Sequence, residues 1–245
     1  MGIIGVIGIF LKLLKLPTLP FKINKTTNQT MKKIMIMCAA VAMCSCGGGA
    51  QKPAEAEADA ATKVDVSNKS FEELFVEVAP ADFDQNIFNL VSKDFTVITA
   101  GEIPAHNSMI ASWGGYGILF NKPASWCFLR ANRYTLEKMR EGEKYTLCYF
   151  PEAYKQDIMP FGTVSGRDSN KMEQTSLTAV STPDGLPAWK EAKVIFECTL
   201  SSVTTVSKSD FYTEEGQNFV QEGFDDAKDW HKFVFGEITH LWVAK

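Results

Sequence analysis

The densest group of unusual residues lies between positions 107 and 135. Its first part reads "SMIASWGGYG" (108–117), in which Trp113 is followed at once by Gly114 and Gly115. Glycines lack a Cβ, so backbone N–H groups at these positions can approach a ligand closely, while the indole offers a flat apolar face and one donor. The stretch therefore indicates either an awkward turn or a flat, polar ligand that lies against the backbone.

The second part reads "LRANRYT" (129–135) and brings Arg130 and Arg133 close to a predicted helix start. Guanidinium groups bind phosphate through paired hydrogen bonds, and the free N–H groups of a helix N-terminus favour an anion. Thr135 would either cap that helix or donate to a phosphate oxygen. Two interpretations stay open here: a phosphate site, or arginines that pair with surface carboxylates.

A third stretch, "GTVSGRDSNK" (162–171), predicts a turn at Ser165, Gly166 and Arg167 ahead of a helix that begins near Asp168. Taken alone, an ordinary capped turn explains it best. It fails the G-x-S-x-G pattern, because residues 162–166 read G-T-V-S-G, so no nucleophile elbow is predicted. The histidines and cysteines show no paired spacing, so no metal site is predicted either.

The elements that must position these residues follow from local composition. Runs rich in β-branched and aromatic residues predict strands at 95–100, 125–130, 145–150, 192–200 and 231–245. Cap, proline and glycine signals predict short helices at 135–143, 151–159 and 168–177. The pattern predicts a mainly β, α+β fold, namely an antiparallel barrel with small inserted helices.

Composition and charge limit the classes of function. With 245 residues and 45% hydrophobic content, the chain can bury a sizeable core. A net charge of -4 and a pI near 5.5 argue against general nucleic-acid binding, which usually needs a basic face. Cys127, Cys148 and Cys198 each lie in an apolar, strand-like run and are predicted to be buried thiols.

The N-terminal part has the layout of a targeting segment. Residues 31–45, "MKKIMIMCAAVAMCS", combine two lysines with a short apolar run and predict a secretory signal peptide. "VAMCSC" resembles a bacterial lipobox, which makes Cys46 the expected lipidated residue and leaves Cys44 as the alternative. Residues 46–70 predict a flexible tether, and the folded domain is expected over 71–245. Residues 1–30 are interpreted as an upstream extension, with a second targeting element as the alternative.

Taken together, these stretches resemble the flavin reductase family with the FMN-binding split barrel, especially its flavoredoxin-like members. The resemblance covers most of residues 90–240. "ASWGG" followed by "RYT" and "SGRD" at these spacings is its most specific part. The other matching stretches are "TVITAG", "YTLCYF" and "HKFVFGEI". Asn170 stands where the family frequently has aspartate, and Phe120 stands where it frequently has tryptophan.

The resemblance implies non-covalent FMN at the interface of a homodimer of split barrels. The residues that it assigns to the flavin ring are Asn107, Met109, Ile110, Ala111, Ser112, Trp113, Gly114 and Gly115. Those that it assigns to the ribityl phosphate are Arg130, Arg133, Tyr134 and Thr135. Those that it expects to close the site are Ser165, Gly166, Arg167, Asp168 and Lys171, with His231 at the family's late histidine.

Three functions follow as expectations. The first is an FMN-dependent oxidoreductase that takes hydride from NAD(P)H, or electrons from a redox partner protein, and needs no catalytic side chain of its own. The second is a non-catalytic, electron-transfer lipoprotein of the bacterial cell envelope, anchored to the membrane by lipid, where NAD(P)H is expected to be scarce. The third is a barrel that has lost flavin. If the signal is not used, a cytoplasmic location is expected instead.

Overall fold

The computed structural model describes residues 62–223 and 231–245, the side chains of 219–223 excepted. The predicted extension (1–30), signal peptide (31–45), Cys46 and most of the tether therefore lie outside the described residues. The strands of the described part are β1 (Phe75–Glu77), β2 (Thr96–Ala100), β3 (Asn107–Ala111), β4 (Gly114–Leu119), β5 (Lys122–Arg130), β6 (Lys144–Tyr149), β7 (Ala179–Ser181), β8 (Pro187–Trp189), β9 (Val194–Thr205) and β10 (His231–Ala244). Its α-helices are α1 (Phe71–Leu74), α2 (Ile87–Lys93), α3 (Tyr134–Gly142), α4 (Lys155–Thr163) and α5 (Glu214–Gly223).

Eight of these strands form one antiparallel sheet. Its order is β3-β2-β6-β9-β10-β5-β4, and β1 pairs with the C-terminal end of β10. The strands β3 and β4 stand at the two edges, so the sheet curls into a barrel that is not closed. β7 and β8 form a separate hairpin. The predicted mainly β fold, an antiparallel split β-barrel with small helices, is confirmed.

Two hydrophobic clusters hold the sheet. One fills the interior of the barrel and includes Ile98, Leu129 and Leu136. The other lies between the opposite face of the sheet, α4 and the β7–β8 hairpin, and is centred on Phe161 and Trp189. The three cysteines Cys127, Cys148 and Cys198 are buried and free, as predicted, and burial raises the pKa of each thiol, to about 12 for the second and third.

Several element boundaries differ from the sequence prediction. The helix predicted at 168–177 is a single 3₁₀ turn, Lys171–Gln174, because Asn170 caps Met172 after the chain has already turned at residues 165–169. The helix predicted at 151–159 is a 3₁₀ turn, Glu152–Tyr154, that leads into α4. The packed region also begins earlier than residue 71, since Val66 belongs to the second cluster.

The helix α3 begins at a different N-cap from the one predicted. Thr135 was the predicted N-cap, but the N-cap is Arg133, whose backbone is extended and whose side chain makes no capping hydrogen bond. Thr135 lies inside the first turn and is 1% exposed. Its hydroxyl accepts a hydrogen bond from the Asn107 side-chain amide at 2.7 Å, so β3 and the start of α3 are tied together.

His240 makes the stability of the barrel depend on pH. Its Nδ1 lies 2.7 Å from Glu77 Oε1 on β1, and its Nε2 lies 3.6 Å from Asp184 Oδ2 in the β7–β8 turn. The hydrogen bond to Glu77, followed by nearby carboxylates, raises the pKa of His240 above its usual value of 6.5. A raised folded-state pKa stabilises the fold fully below the unfolded value, and this contribution is lost as pH rises through the folded value.

We therefore expect His240→Gln to lower the unfolding midpoint at about pH 5.5 and to change it little at about pH 9. Denaturant unfolding of both proteins at the two pH values measures this. An equal loss at both values would mean that the imidazole contributes through packing against Trp242 and not through its charge.

Candidate functional site

Three loops converge beside the edge strand β3. They are the connection from β3 to β4, the connection from β5 to α3, and residues 164–170 after α4. Two neighbouring cavities lie between them. Met109, Ile110 and Arg133 line both cavities, so the two adjoin, and together they are called the cleft.

The first cavity lies at the start of α3. The predicted site residues that line it are Asn107, Met109, Arg133, Tyr134, Thr135, Ser165, Gly166 and Lys171. The second lies towards the end of β5 and the start of β10. The predicted site residues that line it are Met109, Ala111, Ser112, Trp113, Arg130, Arg133 and His231. The three sequence stretches are thus brought together around one cleft.

Sequence reasoning missed part of the lining. The residues involved are Phe128, Asn132, Phe161, Gly162 and Val164. Asn132 lies inside "LRANRYT" and could have been found there. The apolar residues carry no signal of their own, because an aliphatic or aromatic side chain in a strand or helix is ordinarily read as core.

Positive charge is concentrated along the cleft. Burial, together with the neighbouring Arg130, lowers the pKa of Arg133. Burial and then the two arginines lower the pKa of His231 to about 4, so its imidazole is neutral near pH 7. Burial and then Arg133 lower the pKa of Lys171 to about 8. These groups repel one another, and an anion in the cleft would relieve that repulsion.

Arg133 is the clearest case. Among the described residues, no carboxylate forms an ion pair with it, so the alternative of a surface carboxylate partner finds no support there. It stands directly before α3, a nine-residue helix whose N-terminus has no side-chain cap. Uncapped N–H groups and an exposed guanidinium at the edge of a cavity make an anion site.

Lys171 is buried to an unusual degree for a lysine, with 5% of its surface exposed. Its ammonium donates to the Ser108 carbonyl at 2.9 Å and to the Phe161 carbonyl at 3.1 Å. These bonds join β3 to the end of α4 and hold a positive charge against the first cavity. A buried lysine without a carboxylate partner favours an anionic ligand.

The glycines of "SWGGYG" have a packing role in the barrel, and their predicted contact with a flavin stays a prediction. Neither Gly114 nor Gly115 lines the two cavities. A Cβ on Gly114 would lie 2.4 Å from the Trp126 carbonyl oxygen, and a Cβ on Gly115 would lie 2.7 Å from the Trp126 ring. They leave room for β5 to pair closely with β4. Trp113 does face the cleft: it is 45% exposed, and its ring centroid lies 5.0 Å from that of His231.

Arg167 and Asp168 line neither of these two cavities. They line a third cavity, together with the predicted site residues Asn107, Tyr134, Gly166 and Lys171. The Arg167 guanidinium forms an ion pair with Glu137, donates to the Asn132 carbonyl at 2.7 Å and lies over the Tyr134 ring at 5.2 Å. In this structure Arg167 therefore binds α3 and the residues before it, where the resemblance had assigned it to the cofactor.

The described residues contain no group of three or more histidine, cysteine or acidic side chains placed to hold a metal ion. Within 62–223 and 231–245, none of the helices has the length and apolar character needed to cross a membrane.

No curated protein matches the chain significantly. Solved structures do match. One is an FMN-binding domain of a flavin reductase-like enzyme from Shewanella baltica OS155, with 18% identity and a TM-score of 0.49 over 69% of this chain and 76% of the other. An FMN-binding protein from Thermus thermophilus has 15% identity and a TM-score of 0.48 over 69% of this chain and 80% of the other, and flavoredoxin from Methanosarcina acetivorans has 16% identity and a TM-score of 0.45 over 75% of this chain and 76% of the other. The family profile described as flavin reductase like domain matches residues 88–245, more than half of the chain. The chain therefore belongs to the flavin reductase like domain family.

Proposed function

We propose that this protein binds FMN non-covalently in the cleft and acts as a flavin-dependent oxidoreductase. The observation on which the proposal rests is the positively charged cavity at the N-terminus of α3, lined by the exposed Arg133 and the buried Lys171. Membership in the flavin reductase like family supports flavin as the source of the anion. Where FMN binds, it supplies two-electron redox chemistry that no side chain here needs to supply.

The two cavities suit the two ends of FMN. Arg133, Lys171 and the first-turn N–H groups of α3 would bind the phosphate, and Thr135, which accepts from Asn107, keeps its O–H to donate. The second cavity combines apolar and small residues with the Trp113 ring and suits the flavin ring system. Arg130 and His231, at its rim, would contribute polar contacts.

The direct test is an absorption spectrum of the purified protein, followed by titration with FMN and with riboflavin. Bound oxidised flavin, and tighter binding of FMN than of riboflavin, are expected. A colourless protein that takes up neither flavin would contradict the proposal and favour a barrel that has lost flavin.

The electron donor separates two forms of this function. We propose NAD(P)H as the donor, with a redox partner protein as the alternative. The second candidate function, a non-catalytic electron-transfer lipoprotein, is favoured by the lipobox-like "VAMCSC". Consumption of NADH or NADPH by the purified, FMN-loaded protein distinguishes the two, because sustained turnover is incompatible with an electron carrier alone.

We also propose that the protein forms a homodimer. The outer faces of β5 and β10 carry the half-buried aromatic residues Trp126, Phe128, Phe233 and Phe235. Their rings contact one another, with centroids 4.3 Å apart for Phe233 and Phe235 and 4.6 Å apart for Phe128 and Phe233. A continuous aromatic face of this kind is typical of interfaces. Light scattering after size exclusion should give twice the chain mass.

For location, we propose a lipid anchor at Cys46 on the bacterial cell envelope. Cys46→Ser is expected to abolish palmitate labelling and to release the protein from the membrane fraction, whereas Cys44→Ser should leave both unchanged. The reverse result would assign lipidation to Cys44, and no labelling in the unaltered protein would favour a cytoplasmic location.

Lys171 makes FMN affinity depend on pH. Its pKa is lowered to about 8, so the charge that favours an anion is present at pH 7 and lost as pH rises above that value. An anion next to the ammonium raises its pKa, so binding becomes weaker with rising pH by up to about tenfold per pH unit. We expect the Kd for FMN to rise between about pH 7 and 9.5 while the Kd for riboflavin stays nearly constant. A flat FMN profile would show that the ammonium does not act on the phosphate.

A further inference from the structure

The loop 164–170 lies over the first cavity, between α4 and the 3₁₀ turn at Lys171. Ser165 and Gly166 line the cavity from this side. Gly166 packs so closely on β3 that a Cβ there would lie 2.0 Å from Asn107 Oδ1. The loop also has internal order, since the amides of Asp168 and Ser169 both donate to the Ser165 carbonyl. Its position therefore controls how open the cavity is at the start of α3.

Arg167 is the residue that attaches this loop to the other wall. Its guanidinium contacts three groups on α3 and on the residues that precede it: the Asn132 carbonyl, the face of the Tyr134 ring and the Glu137 carboxylate. Asn132 and Tyr134 line the first cavity themselves. The contacts therefore bridge the cavity from the outside, and the guanidinium does not enter it.

Glu137 has no place in the cavity lining, and Arg167 is its partner across 30 positions of sequence. Lys138 and Glu141 also form an ion pair, but both residues lie on α3, three positions apart, so this pair does not join two elements. The two pairs have similar chemistry and differ in what they join. Only the first joins two walls of the cleft.

We propose that Arg167 and Glu137 form a latch that holds the loop 164–170 closed over the anion cavity and slows the release of the phosphorylated ligand. The proposal rests on the proposed function for the identity of that ligand, FMN. Arg167 is in this account a positioning residue, which acts through the loop and does not contact the phosphate.

Electrostatics alone predicts the opposite effect of removing Glu137. Its carboxylate lies in the first turn of α3, where it competes with a ligand anion for the positive end of the helix. Neutralising it should therefore tighten the binding of an anion if the loop played no part. The latch predicts faster release instead, so the sign of the change decides between the two.

The test compares Glu137→Gln with Glu141→Gln as the matched control, in the full chain. Hydrogen exchange at Asp168 and Ser169 is measured in the flavin-free protein, and the FMN dissociation rate is measured by recovery of flavin fluorescence. We expect E137Q to raise both rates, the dissociation rate by about two- to fivefold, the range that an exposed ion pair supports. E141Q should change neither, and riboflavin release should not respond to E137Q.

The charge-swapped double variant Glu137→Arg with Arg167→Glu should restore both rates towards those of the unaltered protein. Unchanged loop exchange in E137Q, or slower FMN release, would overturn the latch. Faster loop exchange in a protein that binds no FMN would overturn the proposed function and leave the latch as a property of the loop.

Discussion

Replacing Arg133 by alanine is expected to weaken FMN binding about 10-fold and riboflavin binding less than about threefold. A charge-assisted hydrogen bond contributes about 1.5–3 kcal/mol, and the exposed position of Arg133 places it at the lower end of that range. Only FMN presents a phosphate to the guanidinium. Arg133 is the N-cap of α3 without using its side chain for capping, so alanine keeps the backbone of the helix start. The loss should therefore appear in the FMN affinity and not in the stability of the fold.

The matched control for this variant is Arg140→Ala. Arg140 lies on the same helix, in its last turn and exposed, so its removal changes the net charge equally but leaves the cavity intact. Fluorescence titration with both flavins, and the unfolding midpoint of each variant, complete the measurement. If R133A weakened the binding of FMN and of riboflavin equally, Arg133 would not bind the phosphate.

Much of the scaffold could be predicted from local sequence, because its signals are local. The strands at 95–100, 145–150 and 231–245 are indicated by their β-branched and aromatic residues, and together they predict an antiparallel barrel. Its open, split form was implied by the family resemblance. The stretches that line the cleft could also be singled out in the sequence, because their glycine and arginine content is unusual. Arg133 and Trp113 were named there as candidate site residues, and both line the cleft.

What could not be predicted depends on residues that are distant in sequence. Asn107 on β3 supplies the hydrogen bond that makes Thr135 an interior residue of α3, and no pattern in "RYT" shows this. Arg167 meets Glu137 only because the loop 164–170 folds back onto α3. The chemical character of each side chain was visible in the sequence, whereas its partner was set by tertiary packing.

The glycines of "SWGGYG" show the same limit most clearly. The absence of side chains at these glycines indicated that another group lies close to the backbone, and the sequence analysis interpreted that group as a ligand. In the structure the group next to the glycines is β5, which pairs with β4 in a register that places Gly114 opposite Cys127 and Gly115 opposite Trp126. Both interpretations explain why these positions exclude a side chain. In the first, a side chain would displace the flavin, and in the second it would disturb the pairing of β4 with β5.

Gly114→Ala separates these interpretations. The added Cβ would meet the backbone carbonyl of Trp126 at 2.4 Å, and a backbone atom in a paired strand cannot move aside without opening the β4–β5 ladder. We expect a loss of about 1–3 kcal/mol in the free energy of unfolding, by analogy with overpacked cores. That corresponds to a fall of roughly 3–10 °C in the melting temperature of a domain of this size.

Because Gly114 lines neither cavity, the folded fraction of the variant should bind FMN with nearly unchanged affinity at low temperature. Gly142→Ala is the matched control, since a Cβ there meets nothing within 4 Å. Melting curves and FMN titrations at a temperature where both variants are folded measure the two effects separately. A large loss of FMN affinity at unchanged melting temperature would restore the original interpretation, in which the glycine backbone lies against the flavin and not against the neighbouring strand.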